Sequence, residues 1–370
     1  MVFRCGAAAC FLQSLADAPQ SAMTYTETSW MQSTDRLLTD WRDRALALEA
    51  EVGKVVIGQQ RVIRLVSLAV FARGHVLLQG DVGVGKTTLL LAFAQVIVGD
   101  FARTEGTIDL MPNDLVYYTY ISAEGRPAVE HGPLIRHGED LAIFFFNEIN
   151  RARPQVHSLL LRVMAERTVS AFNREYSFPH LIVFADRNRV EREETFEISS
   201  AARDRFMMEI TIDAPAAESD RRELIFNPRF HDTDRLVQTL QPAMIDHRGL
   251  NAAADAIQRG VDASDSLKDY ALKLWRATAA PQDFGVTLSG QDVSQLMLAG
   301  ASPRGMSYLL RAARTAAWLD GRAFVTPEDV QAVFAETIAH RLCYQPVYEM
   351  RRQEVSGPLI AGILSAVAAP

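Results

Sequence analysis

The segment Gly80-Asp81-Val82-Gly83-Val84-Gly85-Lys86-Thr87 decides how this chain can fold. It follows the short apolar run Val76-Leu77-Leu78 and precedes an apolar, helix-forming stretch that starts at Thr88. A strand, a glycine-rich turn and a helix in that order direct backbone N–H groups and the positive helix end toward anionic oxygens. We expect Lys86 to reach the β- and γ-phosphates of a nucleotide and Thr87 to offer its hydroxyl to Mg²⁺. The pattern therefore predicts a site for ATP or GTP built from residues 80–88.

Composition narrows the class of protein. The chain has 370 residues, 48% of them hydrophobic and 22% charged, which is typical of a folded globular protein with room for two domains. The formal charge of −7 gives no bulk reason to expect nucleic acid as a partner, because Lys and Arg drive non-specific binding to phosphates. Three cysteines without a C-x-x-C pair, Cys5, Cys10 and Cys343, argue against a disulfide framework and a zinc site. Apolar runs fall far short of the ~20 residues that span a bilayer, so we expect no membrane span.

Residues 1–30 are expected to form a disordered or extended N-terminus. Their beginning faintly resembles a secretion signal, but the apolar core is short and ends at Gln13. A disordered extension or an upstream start codon is favoured instead, since Met23 and Met31 could also begin the chain. A protein that uses ATP belongs where ATP is, so the predicted compartment is the cytoplasm.

The remaining chain divides into two predicted parts. Residues 31–212 alternate strand and helix signals, and short apolar runs at 141–146 and 181–185 suit strands of a parallel sheet covered on both faces. After a break at 213–215 the strand signal fades, and residues 216–370 are predicted to form a helical lid domain. Within that part, Thr326-Pro327-Glu328-Asp329 predicts the start of a helix.

A second set of polar residues follows the predicted strand at 141–146. Glu148 stands where a strand-end acid would polarise the water that attacks a γ-phosphate, although a carboxylate there can also be a simple solvated strand end. Asn147 precedes it, where P-loop ATPases normally carry an Asp that helps to hold Mg²⁺. Asn keeps one acceptor oxygen but loses the negative charge, so we expect weaker retention of Mg²⁺ and slower turnover, with nucleotide binding preserved.

Two further residues are candidates for the same chemistry. Asn188 follows another apolar strand and could orient the attacking water, although an Asn in that place is often only a turn residue. Arg205, in Asp204-Arg205-Phe206, carries the planar cation suited to a transferring phosphoryl group. Arginines near helix ends commonly form surface ion pairs, which is the alternative for Arg205.

Together these motifs resemble the MoxR family of AAA+ ATPases, over the stretch from about Val55 to the C-terminus. The matching segments, in chain order, are Val56-Ile57-Gly58-Gln59, Gly74-His75-Val76-Leu77-Leu78, the phosphate loop, Asn147-Glu148-Ile149-Asn150-Arg151-Ala152, the helix 158–167, Asn188, Asp204-Arg205-Phe206, Gly300-Ala301-Ser302-Pro303-Arg304 and the stretch 324–330.

The resemblance implies a P-loop AAA+ nucleotide domain with a parallel sheet, a C-terminal all-helical lid, and ATP with Mg²⁺ as ligands. It implies Glu148 as catalytic glutamate, Asn188 as first sensor, Arg205 as an arginine finger acting on a neighbouring subunit, and Arg304 as second sensor reaching the γ-phosphate from the lid. The stretch Thr168–Ser177, turning at Phe172-Asn173, matches an insertion before the first sensor, and residues around 104–135 match another insertion. Both insertions commonly face the pore or a partner in this clade.

The chain departs from the family pattern at four positions. Asn147 replaces an Asp, which puts the hydrolysis rate in doubt. Arg189 stands where Pro usually follows the sensor Asn, and Ser200 and Arg203 replace a Glu and a Leu before Asp204. The last three departures bear on the subunit interface and leave the phosphate cradle intact.

The resemblance also implies a homo-oligomeric ring, a hexamer, that remodels or matures a client protein together with a von Willebrand factor A domain partner. In one branch such activity is linked to metal insertion into methanol dehydrogenase. Three alternatives stay open: an ATP-binding scaffold with little hydrolysis, a DNA-directed AAA+ motor, which the acidic charge disfavours, and a small-molecule kinase, which leaves Arg205 and Arg304 unexplained. The sequence does not name the client or partner.

Overall fold

The computed structural model describes residues 20–189 and 195–370. Within these residues the strands are β1 (His75–Gly80), β2 (Ile97–Val98), β3 (Asp100–Glu105), β4 (Tyr117–Ile121), β5 (Pro127–His131), β6 (Leu141–Asn147), β7 (Thr168–Ala171), β8 (Arg174–Ser177), β9 (Ile182–Asn188), β10 (Phe206–Ile212), β11 (Ile245–Asp246), β12 (Met297–Ala299) and β13 (Cys343–Tyr344). The α-helices are α1 (Gln20–Gly53), α2 (Gln60–Phe71), α3 (Lys86–Val96), α4 (Pro112–Val116), α5 (Pro154–Glu166), α6 (Ser200–Arg203), α7 (Glu218–Phe226), α8 (Thr233–Gln238), α9 (Leu250–Gly260), α10 (Asp265–Ala279), α11 (Pro303–Leu319), α12 (Pro327–Ile338), α13 (Pro346–Glu349) and α14 (Arg352–Ala366).

A five-stranded parallel sheet forms the centre of the molecule. Its spatial order is β10-β1-β9-β6-β3, so the strand that leads into the phosphate loop is flanked by β9 and β10. Strands β1, β6 and β9 consist largely of buried apolar residues, as expected for strands covered on both faces. Because all five strands run the same way, their carboxyl ends meet at one edge, where ligands bind in open α/β sheets.

Two apolar cores cover the two faces of this sheet. One face packs on α5 and the 104–135 insertion, with Phe144, Phe146 and Leu160 in that core. The other face packs on α1, α2 and α3 and is continuous with the C-terminal helices, so that Phe71 and Phe334 belong to a single cluster. The C-terminal helices therefore pack against the sheet and share its larger core.

The N-terminal expectation needs correction in part. Helix α1 begins at Gln20, inside the segment 1–30 that we expected to be disordered or extended, whereas residues 1–19 with Cys5 and Cys10 lie outside the described residues. Its later turns bury Trp41, Leu48 and Val52 in the larger core. The predicted boundaries at 31–212 and 216–370 stay a prediction, because α1 and the C-terminal helices join one core with the sheet.

The C-terminal part, predicted to be all-helical, is mainly helical with three short strands. β11 pairs with β2 of the nucleotide-binding part, and β12 pairs with β13. The predicted helix start at 326–329 is confirmed: α12 begins at Pro327, and Asp329 Oδ2 accepts the backbone N–H of Thr326 at 2.8 Å. In the part of the chain that the structure describes, no helix has both the length and the apolar character needed to cross a membrane.

The hairpin predicted at 168–177 is also confirmed. β7 and β8 pair antiparallel, and Phe172 and Asn173 form the turn with φ of 53° and 58°. Two successive residues with positive φ match the tight hairpin turn whose twist suits antiparallel strands. A second hairpin, β4–β5, projects from the 104–135 insertion, and Phe172 packs against Tyr117 with ring centroids 5.0 Å apart.

His75 at the start of β1 is a buried structural histidine with a consequence for acid stability. Its Nδ1 accepts the N–H of Val183 at 2.9 Å and its Nε2 lies 3.3 Å from the carbonyl of Met164, which fixes a neutral ring. Burial, with the nearby Arg167 charge, lowers the pKa of His75 to about 3. The unfolded chain takes up this proton below about pH 6.5, and the folded chain does so only near pH 3, so stability falls as pH drops through that interval.

We predict that His75→Gln flattens the acid side of the stability curve. Between pH 7.5 and pH 5.0 the wild-type chain loses about 2 kcal/mol of unfolding free energy through this one group, and the variant is spared that loss. Guanidinium unfolding at the two pH values measures the difference. The exposed His231→Gln variant serves as the control and should keep the wild-type slope. Parallel pH profiles for His75→Gln and wild type would contradict the assignment.

Candidate active site

The phosphate loop joins β1 to α3 in the geometry that its glycines require. Gly83 and Gly85 have φ of 82° and 92°, and a Cβ placed on either would meet nothing within 4 Å. These positions need glycine for their backbone conformation, since a side chain there would enter open space. Gly80 has a different reason, because a Cβ there would lie 2.4 Å from the carbonyl oxygen of Ile212.

Lys86, the first residue of α3, folds back over the loop. Its Nζ donates to the carbonyls of Gly80 at 2.8 Å and Asp81 at 3.0 Å, and to Asn188 Oδ1 at 2.6 Å. The residue is only 7% exposed, so its charge is held in a largely dry environment. An ammonium group held at the mouth of a glycine loop is placed to bind nucleotide phosphates.

Asn188 connects the loop to Glu148. Its Oδ1 accepts from Lys86, and its Nδ2 donates to Glu148 Oε1 at 3.2 Å. The three residues stand at the start of α3, at the end of β9 and just after β6, so neighbouring carboxyl ends of the sheet bring them together. The structure thus assembles three of the sequence-predicted site residues into one hydrogen-bonded group.

Glu148 has an unusual backbone conformation that a neighbouring acid stabilises. Its φ is 51° and its ψ is 50°, in the left-handed region that a non-glycine residue adopts only when its surroundings fix it. The backbone N–H of Glu148 donates to Asp186 Oδ1 at 2.7 Å, and its side chain lies 3.2 Å from Arg151. Gly106 permits a close approach here, since a Cβ on it would lie 2.2 Å from the Glu148 carbonyl oxygen.

Asp186 is the site residue that sequence reasoning missed. It is 2% exposed, and its Oδ2 lies 3.9 Å from Lys86 Nζ. Burial raises the pKa of Asp186 to about 6, although the Glu148 N–H and the Lys86 charge favour the ionised form. The available signal was an acidic residue two positions before Asn188, because residues at i and i+2 of a strand share one face.

Thr87 and Asn147 are the two residues expected to offer oxygen ligands to Mg²⁺. Asn147 is buried at the end of β6, and Thr87 is half-buried in the first turn of α3. Across residues 20–189 and 195–370, no three His, Cys, Asp or Glu side chains converge on a possible metal position. This donor set fits Mg²⁺, which is commonly held by one or two protein oxygens together with nucleotide phosphates and water.

A cavity of about 260 Å³ opens beside the loop and is suited to a nucleotide base. It is lined by residues from three separate parts of the chain: Val55, Val56, Ile57 and Gln59 before α2; Gly83, Val84, Gly85 and Thr88 of the loop; and Pro215, Leu224, Phe230, Thr233 and Leu236 around α7 and α8. Gly58 lets the first part approach the third, because a Cβ there would lie 2.7 Å from Pro215. No sequence pattern marked Leu224 or Phe230, which come to line this cavity only through the fold.

Arg205 and Arg304 lie together at the amino ends of the strands, at the end of the sheet opposite the phosphate loop. Arg205 directly precedes β10, whose Phe206 pairs with His75 at the start of β1, whereas Gly80 pairs with Ile212. Measured along the paired strands, Arg205 therefore lies about five residues, or about 16 Å, from the phosphate loop. Within the described part of the chain, the Arg205 guanidinium forms no hydrogen bond or ion pair.

Asp204 fixes Arg304 in this second place. It accepts from Arg304 Nη1 at 2.5 Å, from Ser302 Oγ at 2.6 Å and from Arg341 Nε at 3.0 Å. The structure thus holds Arg304 beside Asp204, just before β10, and its role as second sensor stays a prediction. The cause is local: α11 starts at Pro303 with Ser302 as N-cap, and that cap is bonded to Asp204.

Two of the remaining departures from the family pattern, Arg189 and Arg203, have charged partners within the chain. Arg189 Nη2 donates to Asp213 Oδ1 at 2.8 Å, and the largely buried Arg203 lies 3.9 Å from Glu349 of α13. Ser200 is the first residue of α6, and Ser199 provides the cap by accepting the Ala202 N–H. Arg203 therefore ties α6 to the C-terminal part of its own chain.

Fold and site together define a P-loop ATPase of the AAA type with a C-terminal lid. Residues 75–208 match the model of the ATPase family associated with various cellular activities, and residues 291–357 match the AAA lid domain. The chain is 56% identical to Protein MoxR of Methylorubrum extorquens over 91% of its length and 98% of the relative, and 53% identical to Protein MoxR of Paracoccus denitrificans over 91% and 99%.

More distant proteins are similar to this chain over most of its length. Chaperone MoxR1 of Mycobacterium tuberculosis is 32% identical over 86% of this chain and 81% of its own length. A crystal structure of a candidate ATPase from Cytophaga hutchinsonii superposes with a TM-score of 0.76 at 28% identity, covering 93% of this chain and 99% of that one. The chain therefore belongs to the MoxR family of AAA+ ATPases.

The cavity assignment predicts a role for Phe230 in nucleotide affinity. Phe230→Ala should weaken binding of a fluorescent ADP analogue by about tenfold, because the apolar contact of a partly buried phenyl ring with the base is lost. Phe226→Ala is the matched control, since that ring lies on the neighbouring α7 but is 72% exposed and outside the cavity. Equal dissociation constants for the two variants would place the base elsewhere.

Proposed function

We propose that this chain hydrolyses ATP at a site shared between subunits and uses the cycle to remodel or mature a client protein. The observation that carries the proposal is the separation of Lys86 and Glu148 from Arg205 and Arg304. A chain with a phosphate loop at one end of its sheet and two arginines at the other is suited to head-to-tail assembly, in which one subunit's arginines reach the next subunit's nucleotide.

In this proposal each residue around the phosphate loop, on the subunit that binds the nucleotide, has a distinct role. Lys86 binds the β- and γ-phosphates, and Thr87 and Asn147 offer oxygens to Mg²⁺, which when bound neutralises charge on the phosphates. Glu148 accepts the proton of the attacking water. Asn188 holds the Glu148 carboxylate through its Nδ2 and keeps Lys86 within reach through its Oδ1.

The neighbouring subunit supplies positive charge through Arg205 and Arg304. Arg205 is free of partners in the described residues, so a neighbouring nucleotide is a suitable acceptor for its guanidinium. Arg304 is held by Asp204 and would have to exchange that contact for the phosphate. Head-to-tail contacts close into a ring, and we propose a hexamer from the family resemblance.

The base cavity suggests how the cycle moves the protein. Its walls include α7 and α8 of the C-terminal part as well as the phosphate loop, so a bound nucleotide contacts both parts at once. Loss of the γ-phosphate would weaken one set of these contacts and let α7 and α8 shift about the 213–217 connection. Hinge motions of this kind are a common output of nucleotide sites.

The two hairpins are the proposed contact for the client or for a von Willebrand factor A domain partner. Tyr118, Tyr120 and Ile121 of β4 are exposed, as is Phe172 at the β7–β8 turn. Clustered exposed aromatic residues indicate protein contacts. One relative's name includes the word chaperone, which agrees with a client-directed role, and maturation of a metalloenzyme such as methanol dehydrogenase is its narrower form. We propose that the protein acts in the cytoplasm.

Asn147 supports one alternative, an ATP-binding scaffold with little turnover. Measurement of Mg²⁺-dependent phosphate release by the assembled oligomer separates the two functions. Turnover that stays near zero in wild type and in Asn147→Asp would favour the scaffold. Strong stimulation by DNA would instead favour a DNA-directed motor.

Glu148→Gln is predicted to bind ATP with nearly wild-type affinity and to slow hydrolysis by at least about a hundredfold, because the amide does not accept the water proton. Single-turnover phosphate release, measured alongside nucleotide affinity, tests the two effects separately. Glu166→Gln, an exposed acid at the end of α5, is the control with normal kinetics. Normal hydrolysis by Glu148→Gln would contradict the assignment of Glu148 as base.

The shared site predicts complementation between two inactive variants. Lys86→Ala lacks nucleotide binding but presents an intact Arg205, whereas Arg205→Ala binds nucleotide and lacks the arginine. Mixed oligomers contain sites with Lys86 from one subunit and Arg205 from the other, so mixing should restore a measurable part of the wild-type turnover. An inactive mixture, in which co-assembly is shown by size and labelled subunits, would argue that Arg205 acts within its own chain.

A further inference from the structure

The carboxylate missing at Asn147 has a counterpart on the adjacent strand. β6 and β9 pair in parallel register with Phe146 opposite Ala185, so Asn147 and Asp186 occupy the next position along both strands. Neighbouring strands lie about 4.8 Å apart, and residues in register point to the same face of a sheet. The neutral residue at the end of β6 therefore has an acid beside it.

The Asp186 carboxylate is built into the site. Its Oδ1 accepts the Glu148 N–H at 2.7 Å, and its Oδ2 lies 3.9 Å from Lys86 Nζ. Asp186 is 2% exposed, and the other Lys86 contacts given above are to neutral oxygens. Burying a carboxylate is costly unless charge and hydrogen bonds compensate it, and here Lys86 and Glu148 provide both.

We propose that Asp186 is a positioning residue that returns to this site the negative charge absent at Asn147, and that it holds Glu148 in its left-handed conformation. The proposal rests on the proposed function, since it concerns the same nucleotide site. The charge opposes binding of metal-free ATP, which brings four negative charges, and favours ATP neutralised by Mg²⁺. Asp186 thereby makes nucleotide affinity depend on the divalent cation without being required as a direct metal ligand.

A narrower role, acceptance of one hydrogen bond, makes a different prediction. Asp186→Asn keeps the shape and an acceptor oxygen for the Glu148 N–H but removes the charge. If the hydrogen bond were all that mattered, the preference for Mg²⁺-loaded nucleotide would be unchanged. If the charge matters, that preference should fall, and moving the charge back to β6 should restore it.

The experiment measures the dissociation constant of a fluorescent ATP analogue in Mg²⁺ and in EDTA for four proteins: wild type, Asp186→Asn, the exchange variant Asn147→Asp/Asp186→Asn, and the control Asp255→Asn. We expect Asp186→Asn to reduce the ratio of EDTA to Mg²⁺ dissociation constants on the order of tenfold. The exchange variant should regain most of the wild-type ratio. Asp255→Asn removes an exposed acid on α9 and should match wild type.

An Asp186→Asn ratio equal to that of wild type, or an exchange variant no better than Asp186→Asn, would overturn the proposal. Circular dichroism and thermal unfolding establish that each variant is folded. If Asp186→Asn does not fold, the exchange variant decides: a wild-type ratio supports relocation of the charge, and a lost Mg²⁺ preference overturns it. Failure of wild type to bind the analogue at all would instead contradict the proposed function.

Discussion

The hydrogen bonds of Asn188 are the interaction on which the site depends. One side chain, at the end of β9, accepts from Lys86 at 2.6 Å and donates to Glu148 at 3.2 Å. This contact joins Lys86, the residue proposed to bind phosphate, to Glu148, the residue proposed to activate water, although the two are 62 positions apart in the sequence. It is possible only because β1, β6 and β9 are adjacent and parallel, with their carboxyl ends at one edge. The buried apolar strands therefore have a chemical purpose, since they hold three polar side chains within hydrogen-bonding reach.

The same parallel sheet separates the two halves of the chemistry. The phosphate loop follows the carboxyl end of β1, whereas Arg205 precedes the amino end of β10, about 16 Å away along paired strands. Asp204 anchors that far end by accepting from Ser302, Arg304 and Arg341, so the arginines are ordered by the lid helices of their own chain. In the proposed function a single subunit thus presents half of a site at each end. In this account assembly completes the site, and each bound nucleotide contacts residues of two subunits.

The sequence predicted the parts of this structure whose patterns are local. The phosphate loop, β6, β9 and the 168–177 hairpin were placed correctly because glycines, apolar runs and turn residues act over a few positions. β3 and β10 were not singled out, because β3 is a polar edge strand and the Phe-Met-Met start of β10 carries no alternation. Asp186, the Phe230 cavity wall and the position of Arg304 depend on strand register and on how α11 docks. These are long-range packing outcomes that a single sequence does not encode in any local pattern.

The central claim is that one subunit's Arg205 completes a neighbour's site, and turnover as a function of protein concentration tests it most directly. Phosphate release per subunit should be measured across a dilution series together with sedimentation velocity in the same nucleotide and Mg²⁺. The account predicts that turnover per subunit rises in proportion to the assembled fraction and falls toward zero for the monomer. Constant turnover per subunit on dilution to monomer would contradict it.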